Sequence, residues 1–395
     1  MSLKLRSIMK ASELRGKRVL LRLDLNLPIE HGKILAIDKL LRSLATVRAL
    51  LERGAKVIIA THLGRPQGKK VSGLSTRPLA VLLQDTLGVK VSWVSSVCGT
   101  PARIAAAKLK NGEILLLENL RFEKGEQEDD PAFAKKFTQF ADLYVNDAFA
   151  VSHHRHASVA GITEYFDSYA GLRLIMEVDH LSRLLEVSPR TLVVVMGGSK
   201  ISSKIQVLER FLSIGARVLL GGALAVQCFK ARGLEIGRSL WSAEEVELAE
   251  RIAHSPRLYL PCDLILAQKL QDNSSVRMAP PTAVHGNEAI VDIGLEGLCE
   301  FRSIIEKARS IIWNGPLGIS EIPAFAHGSV MLGRTIAKQT EYGAYSVVGG
   351  GDTLPIIAKT GMADSFSFVS TGGGAMLEFL SGKMLPGLVS LVDKS

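Results

Sequence analysis

Short runs of β-branched and leucine residues recur along the chain, each ending on polar residues or glycine and most followed by a helical pattern. In the first half they are Val19–Leu23, closing on Asp24-Leu25-Asn26; Val57–Ala60, closing on Thr61-His62-Leu63-Gly64-Arg65; and Val89–Val94. Ile114–Leu117, closing on Glu118-Asn119-Leu120-Arg121, and Leu143–Val145, closing on Asn146-Asp147, complete that half. The second half repeats the plan with Leu192–Met196 before Gly197-Gly198-Ser199-Lys200, Val218–Leu220 before Gly221-Gly222, and Leu258–Leu260 before Pro261-Cys262-Asp263. Ile311–Trp313 precedes Asn314-Gly315-Pro316, Ser346–Val348 precedes Gly349-Gly350-Gly351-Asp352, and Phe366–Val369 precedes Ser370-Thr371-Gly372-Gly373-Gly374. Strands that are apolar throughout are buried on both faces, and their alternation with helices makes the sheet parallel.

Two such sets in 395 residues predict an α/β chain of two doubly wound, parallel-sheet (Rossmann-like) domains. Between them, Leu174, Val178, Leu181 and Leu185 repeat at helical spacing, so Tyr169–Val187 reads as a helix that stops before Pro189 and joins the domains. Open parallel sheets bind ligands beyond the carboxyl ends of their strands. There the two halves carry different chemistry. The first supplies cations: Arg22, His62, Arg65, Arg121, then His153-His154-Arg155-His156. The second supplies bare backbone at glycine clusters, with Lys200, Lys204 and Asp352. A cationic basin suits a small phosphorylated acid, whereas glycine turns feeding helix N-termini suit a nucleotide polyphosphate. Two anionic substrates on two domains predict phosphoryl transfer with domain closure.

Composition agrees. The net charge of +9 fits an anionic partner. Aromatics at 6% with no aromatic-interleaved basic stripe argue against nucleic acid. No apolar run reaches the length of a membrane span, and the N-terminal segment lacks the apolar core of a secretory signal. Cys98, Cys228, Cys262 and Cys299 are far apart and read as reduced thiols of a cytosolic protein.

Each motif has a plainer reading. Lys200 and Lys204, four apart on a starting helix, share a face; they are either two solvated lysines or a phosphate grip, and like charges at a helix N-terminus gain nothing structurally. Asp352 or Thr353 caps the helix that holds Pro355 in its first turn, or Asp352 supplies a carboxylate to Mg²⁺. The His153–His156 run, with no acids or cysteines clustered beside it, reads as a cationic, protonatable wall rather than a zinc site. No P-loop and no GxGxxG fingerprint is present.

Taken together, Arg22–Pro28, His62–Pro66, Leu117–Phe122, Asn146–Phe149 with the histidines after it, Gly197–Lys204, Trp313–Gly318, Gly349–Thr353, and Ser370–Gly374 followed by Leu385-Pro386-Gly387 resemble one family, phosphoglycerate kinase, across essentially the whole chain. The resemblance implies a monomeric, cytoplasmic glycolytic enzyme exchanging 1,3-bisphosphoglycerate and ADP with 3-phosphoglycerate and ATP, using Mg²⁺. It implies a first domain over 1–168 with the tail 383–395 packed back on it, an interdomain helix hinge over 169–188 and a nucleotide domain over 189–382. Asp24 and Asn26 would hold the glycerate hydroxyl and carboxylate, Arg22 would anchor the basic patch, and His62, Arg65 and Arg121 would grip the phosphate that stays. Lys200 and Lys204 would touch the nucleotide phosphates and the moving group, with Gly351 and Gly374 beside it. Gly198, Gly222, Asn314, Pro316, Gly349 and Gly350 would line the nucleotide site, Glu321 would meet the ribose, Thr353 a phosphate and Asp352 the metal–nucleotide.

Four positions depart from the family pattern. Lys39 falls where the family's arginine stabilises the transferring group, and it keeps the charge without the planar fork. His153-His154 replaces a histidine–arginine pair, with Arg155 one residue later; Ala150 replaces a glycine; Ser203 stands where many members carry aspartate. Lys39 and His154 leave a second reading open, a relative that keeps the fold and nucleotide site as a binding or regulatory protein with weakened transfer.

Overall fold

The computed structural model describes residues 3–27, 29–30, 33–34 and 37–393; of 29–30, 33–34 and 37–39 it describes the backbone alone. The chain divides into two compact units. One runs up to Asp179 and takes back the chain from Met384 onward; the other is His180–Lys383. The helix Leu172–Glu186 carries the chain from one to the other.

The strands of the first unit are β1 (Arg18–Leu23), a two-residue hairpin β2 (Ile29–Glu30) and β3 (Lys33–Ile34), β4 (Lys56–Ala60), β5 (Val91–Trp93), β6 (Ile114–Leu116), β7 (Leu143–Asp147) and β8 (Ser168–Ala170). Six of them form a parallel sheet in the order β5-β6-β4-β1-β7-β8. The chain enters at the centre, winds to one edge and returns to β7, so β1 lies at the point where the winding reverses. Alternate side chains of β1 enter two cores. Val19, Leu21 and Leu23 pack with Leu44, Val47 and Leu83, whereas Leu20 packs with Ile58, Phe137 and Phe140 on the opposite face. Burial of both faces is what an unbroken apolar strand requires.

The second unit holds β9 (Leu192–Met196), β10 (Arg217–Leu220), β11 (Leu258–Tyr259), β12 (Leu264–Ala267), β13 (Val276–Ala279), β14 (Ala289–Ile293), β15 (Ser310–Asn314), β16 (Tyr345–Gly349) and β17 (Phe368–Ser370). Its parallel sheet runs β11-β10-β9-β15-β16-β17, and the winding reverses between β9 and β15. The core beside it gathers Val193, Val195, Trp313 and Val348 with Phe301 and Ile336.

Three features differ from the sequence reading. The joining helix begins at Leu172, and Ser168–Ala170 pairs with β7 as an edge strand. β12, β13 and β14 form a separate antiparallel sheet in the order β13-β12-β14. Val276 and Met278 are exposed there, so half of β13 faces water and no unbroken apolar run marks it. Finally, Ile201–Lys204 forms turns and the helix starts at Ile205, so Lys200 and Lys204 do not share a helix face.

The tail closes on the first unit. Leu385, Leu388 and Leu391 are fully buried, Val392 bridges Leu5, and Arg6 N donates to Leu391 O at 2.7 Å. Asn146 Nδ2 donates to Gly387 O at 3.1 Å. Deleting residues from Met384 onward is expected to lower the stability of this unit by about 5 kcal/mol or more, since each buried leucine contributes roughly 1.5–3 kcal/mol. Thermal unfolding of the truncated chain checks this, and an unchanged midpoint would refute the tail's structural role.

Candidate active-site residues in the two units

In the first unit the carboxyl ends of β1, β4 and β6 bring the predicted cations together. Arg22, wholly buried, donates through Nε to Ser158 Oγ at 3.0 Å and through Nη1 to Leu23 O at 2.5 Å, and its Nη2 lies 3.2 Å from His62 Nδ1. Ser158 is itself fixed by Glu126, whose carboxylate accepts from Ser158 Oγ at 2.6 Å and Ser158 N at 2.9 Å. Arg121 donates to Gly64 O at 2.7 Å. Burial pushes its guanidinium pKa down, and the charges of Arg22 and Arg65 add to that. Gly64 N donates to Asn26 Oδ1 at 2.9 Å, and Asp24 Oδ1 accepts from Asn26 N at 3.3 Å. Asn119 holds this corner by donating to Leu63 O and Leu74 O, both at 2.8 Å.

The histidine run completes the wall. The rings of His153 and His154 lie 3.8 Å apart, and those of His154 and His156 4.8 Å. Burial, then the charges of His154, Arg121 and Arg22, push His156 down to about 3; burial lowers His153. Burial thus works against charge on these two rings, where the sequence reading expects a cationic, protonatable wall. Arg121 Nε, His153 Nδ1 and His156 Nδ1 are buried without a hydrogen-bond partner among the described residues. Arg155 stays outside the cluster: it is exposed and pairs with Asp129 at 3.3 Å. Lys39 belongs to the helix Ile37–Ser43, and its side chain lies outside the described residues.

In the second unit the loops after β9 and β15 lock together. Gly197 N donates to Asn314 O and Gly198 N to Pro316 O, both at 3.0 Å. A Cβ on Gly197 would fall 1.7 Å from Pro316 O, and Gly198 has φ +105°, so only glycine satisfies both positions. Asn314 Nδ2 donates to Gly349 O at 2.9 Å, while Thr353 Oγ1 accepts from Gly315 N at 2.7 Å and donates to Gly349 O at 2.9 Å. Thr353 thus ties two strand ends together instead of capping the helix Leu354–Thr360, for which neither it nor Asp352 provides the expected side-chain cap.

These loops frame a cleft with two lobes. The smaller, about 310 Å³, is lined by Lys200, Lys204, Asn314, Gly351, Asp352 and Gly374, with Gly350 and Thr353 also facing it. The larger, about 490 Å³, is walled by Gly222, Val226, Leu240, Pro316 and Ile319, with Glu321 at its side. Gly198 and Asp352 border both. Gly349 lies within β16 and contributes its carbonyl to the loop network. Lys204 is largely buried, and its Nζ donates to Gly197 O. Burial pulls its pKa down to about 8, against the opposing pull of Asp352.

The sequence reading missed Glu126 and Ser158, which hold Arg22, and Asp292, which borders the larger lobe. Asp292 is the fourth residue of β14, and no cationic or glycine-cluster motif marks the end of that strand. Its carboxylate accepts from Ile293 N at 2.9 Å and Gly328 N at 2.8 Å, and burial pushes its pKa up to about 7.

An apolar cleft beside backbone amides in one unit, and a crowded basin of arginines and histidines in the other, define an α/β protein built for phosphoryl transfer between a nucleotide and a small acid. The family model described as phosphoglycerate kinase matches residues 9–383. Phosphoglycerate kinases of Picosynechococcus sp. and Moorella thermoacetica are each 39% identical, covering 97% of this chain and 97% of the first relative, and 98% and 99% for the second. The solved phosphoglycerate kinase of Coxiella burnetii superposes with a TM-score of 0.86 at 39% identity, covering 98% of this chain and 99% of that one. That of Pyrococcus horikoshii gives 0.86 at 31%, covering 98% of each. The chain belongs to the phosphoglycerate kinase family. Its reaction is reversible phosphoryl transfer between 1,3-bisphosphoglycerate with ADP and 3-phosphoglycerate with ATP, and nothing in these likenesses favours a non-catalytic relative.

Asp292 offers a pH test. Between its ordinary value near 4 and about 7 the folded state holds a proton that the unfolded chain has released, so this group's contribution to stability falls as pH rises through that window. Relative to Asp292→Asn, the wild type should lose on the order of 2 kcal/mol between pH 4.5 and 8. Thermal unfolding of both across that range checks it; parallel curves would remove the claim.

Proposed function

We propose that the transferred group passes to or from the carboxylate of the glycerate, with the residues of the two units dividing the work. In the direction of ATP use, a carboxylate oxygen of 3-phosphoglycerate attacks the γ-phosphorus, the bond to the bridging oxygen breaks, and its electron pair leaves on ADP. No side-chain nucleophile is needed, so this chain's part is positioning and compensation of charge. The observation that carries this reading is the set of buried, partnerless nitrogens on Arg121, His153 and His156 beside Arg22. A buried guanidinium N–H without an acceptor is costly, and an anionic ligand resolves it while giving the two imidazole nitrogens a group to donate to.

Arg22, His62, Arg65 and Arg121 grip the phosphate that is not transferred, and Asp24 and Asn26 face the glycerate hydroxyl and carboxylate. His153 and His156 become hydrogen-bond donors, or cations, once an anion raises their pKa values. Lys39, by its place in the sequence, adds a charge toward the moving group. In the nucleotide unit the larger lobe takes the base, Glu321 the ribose, and the smaller lobe the phosphates. Lys200 and Lys204 neutralise phosphate oxygens, and the open backbone at Gly351 and Gly374 offers N–H groups to the equatorial oxygens of the moving group.

Among the described residues no group of three or more histidine, cysteine, aspartate or glutamate side chains gathers as a metal cage would. Asp352, exposed on the border of both lobes, suits Mg²⁺, which keeps water and phosphate oxygens as ligands and takes one or two carboxylates from protein. When bound there, the ion would neutralise nucleotide phosphate charge. No helix among the described residues is long and apolar enough to cross a membrane. The four cysteines are free, in keeping with an enzyme of a reducing compartment.

Lys204→Ala is expected to lower kcat by about 100-fold or more while changing either KM only a few-fold, as loss of a charge felt mainly in the transition state does. Arg121→Ala should raise KM for 3-phosphoglycerate by about 10- to 100-fold and leave KM for ATP within about twofold. Steady-state assays in both directions check the pair. Wild-type turnover in the first, or equal effects on both substrates in the second, would overturn these roles.

A further inference from the structure

The helix Ala243–Ala253 opens on Ser242-Ala243-Glu244-Glu245, the pattern of a reciprocal capping box. In that motif the serine hydroxyl accepts from the third helical N–H, and the glutamate turns back to the serine N–H. Only the first half forms: Ser242 Oγ accepts from Glu245 N at 3.3 Å. The Glu245 carboxylate reaches instead to the turn that follows β9. It accepts from Ile201 N, from Ser202 N at 3.0 Å and from Ser202 Oγ at 2.6 Å. Two successive amides converging on one anion form a nest, a concavity that otherwise takes phosphate. Here the chain fills it with its own carboxylate.

The consequence concerns Lys204. It is the last residue of that turn and caps the helix Ile205–Ser213, with Lys204 N donating to Ile201 O at 2.8 Å. Gly198 upstream has a left-handed backbone and no side chain, and Ser199, Lys200, Ser202 and Ser203 are exposed. The turn is therefore fixed by the buried Ile201, by the bond from Ser203 Oγ to Lys200 O at 2.9 Å, and by the Glu245 clamp. Charge-assisted bonds are the stronger kind, and three on consecutive groups hold a turn in one geometry. We propose that Glu245 is a positioning residue for phosphoryl transfer, holding the Lys200–Lys204 turn so that the Lys204 ammonium stays at the floor of the phosphate lobe. Its effect is on rate, because a lysine displaced by an ångström still attracts nucleotide but no longer meets the moving group.

This inference rests on the role given above to Lys204, and a double-mutant cycle separates the two. Glu245→Ala should lower kcat about tenfold, with KM for 3-phosphoglycerate within about twofold and a cooperative thermal transition retained. On a Lys204→Ala background the same change should alter kcat by less than about twofold, because a clamp has nothing left to position. Ser202→Ala, which removes one of the three bonds, should lower kcat about two- to threefold and show the same dependence on Lys204. Wild-type kcat in Glu245→Ala, or losses that multiply in the double variant, would overturn the proposal. Wild-type kcat in Lys204→Ala would instead overturn the reading beneath it.

Discussion

The second unit's chemistry depends on the lock between the loops after β9 and β15, where Gly197 N meets Asn314 O and Gly198 N meets Pro316 O. These loops come from strands that are neighbours in the sheet and distant in the chain, and they meet where the winding reverses. No side chain fits between them: a Cβ on Gly315 would lie 2.3 Å from Gly197 O. Backbone packed this closely presents a rigid row of peptide groups, and the Thr353 hydroxyl extends that row to β16. Lys204 shares in it through its bond to Gly197 O, which gives an acceptor to an ammonium whose pKa burial lowers.

The first unit poses the opposite problem. Arg22, Arg121 and their histidine neighbours are crowded, and burial, with their mutual repulsion added to it, lowers the pKa values of Arg121 and His156. Glu126 answers part of it. By holding Ser158 at both its hydroxyl and its amide, the carboxylate orients the acceptor of Arg22 Nε while leaving the rest of the guanidinium directed elsewhere. The surplus positive charge is retained, and sites that keep such an electrostatic deficit give up stability for affinity.

A single arrangement recurs in both units: a carboxylate accepts paired bonds and fixes the groups that do the work. Glu126 does so for Arg22, Glu118 for the turn at Thr76 and Asn119, Asp292 for the wall of the nucleotide cleft, and Glu245 for the lysine turn. Each accepts backbone N–H groups, so the active side chains ride on segments whose own polar groups are already satisfied.

The sequence by itself determined the two parallel sheets, because strands buried on both faces must be apolar throughout and the runs at Val19–Leu23 and Leu192–Met196 are. It also determined which residue types close each strand, and so the division between a cationic end and a glycine-rich end. Only the tertiary structure decided the rest. Ser168–Ala170 is a strand because β7 offers it an edge, and β13 is recognisable only beside β12, since half its side chains face water. Lys200 and Lys204, spaced for one helix face, sit on a turn whose Ile201 and Ser202 amides meet Glu245, more than forty positions further on. Spacing along the chain encodes local periodicity; which donor meets which acceptor across a fold depends on packing, and that is where the positions of these side chains were settled.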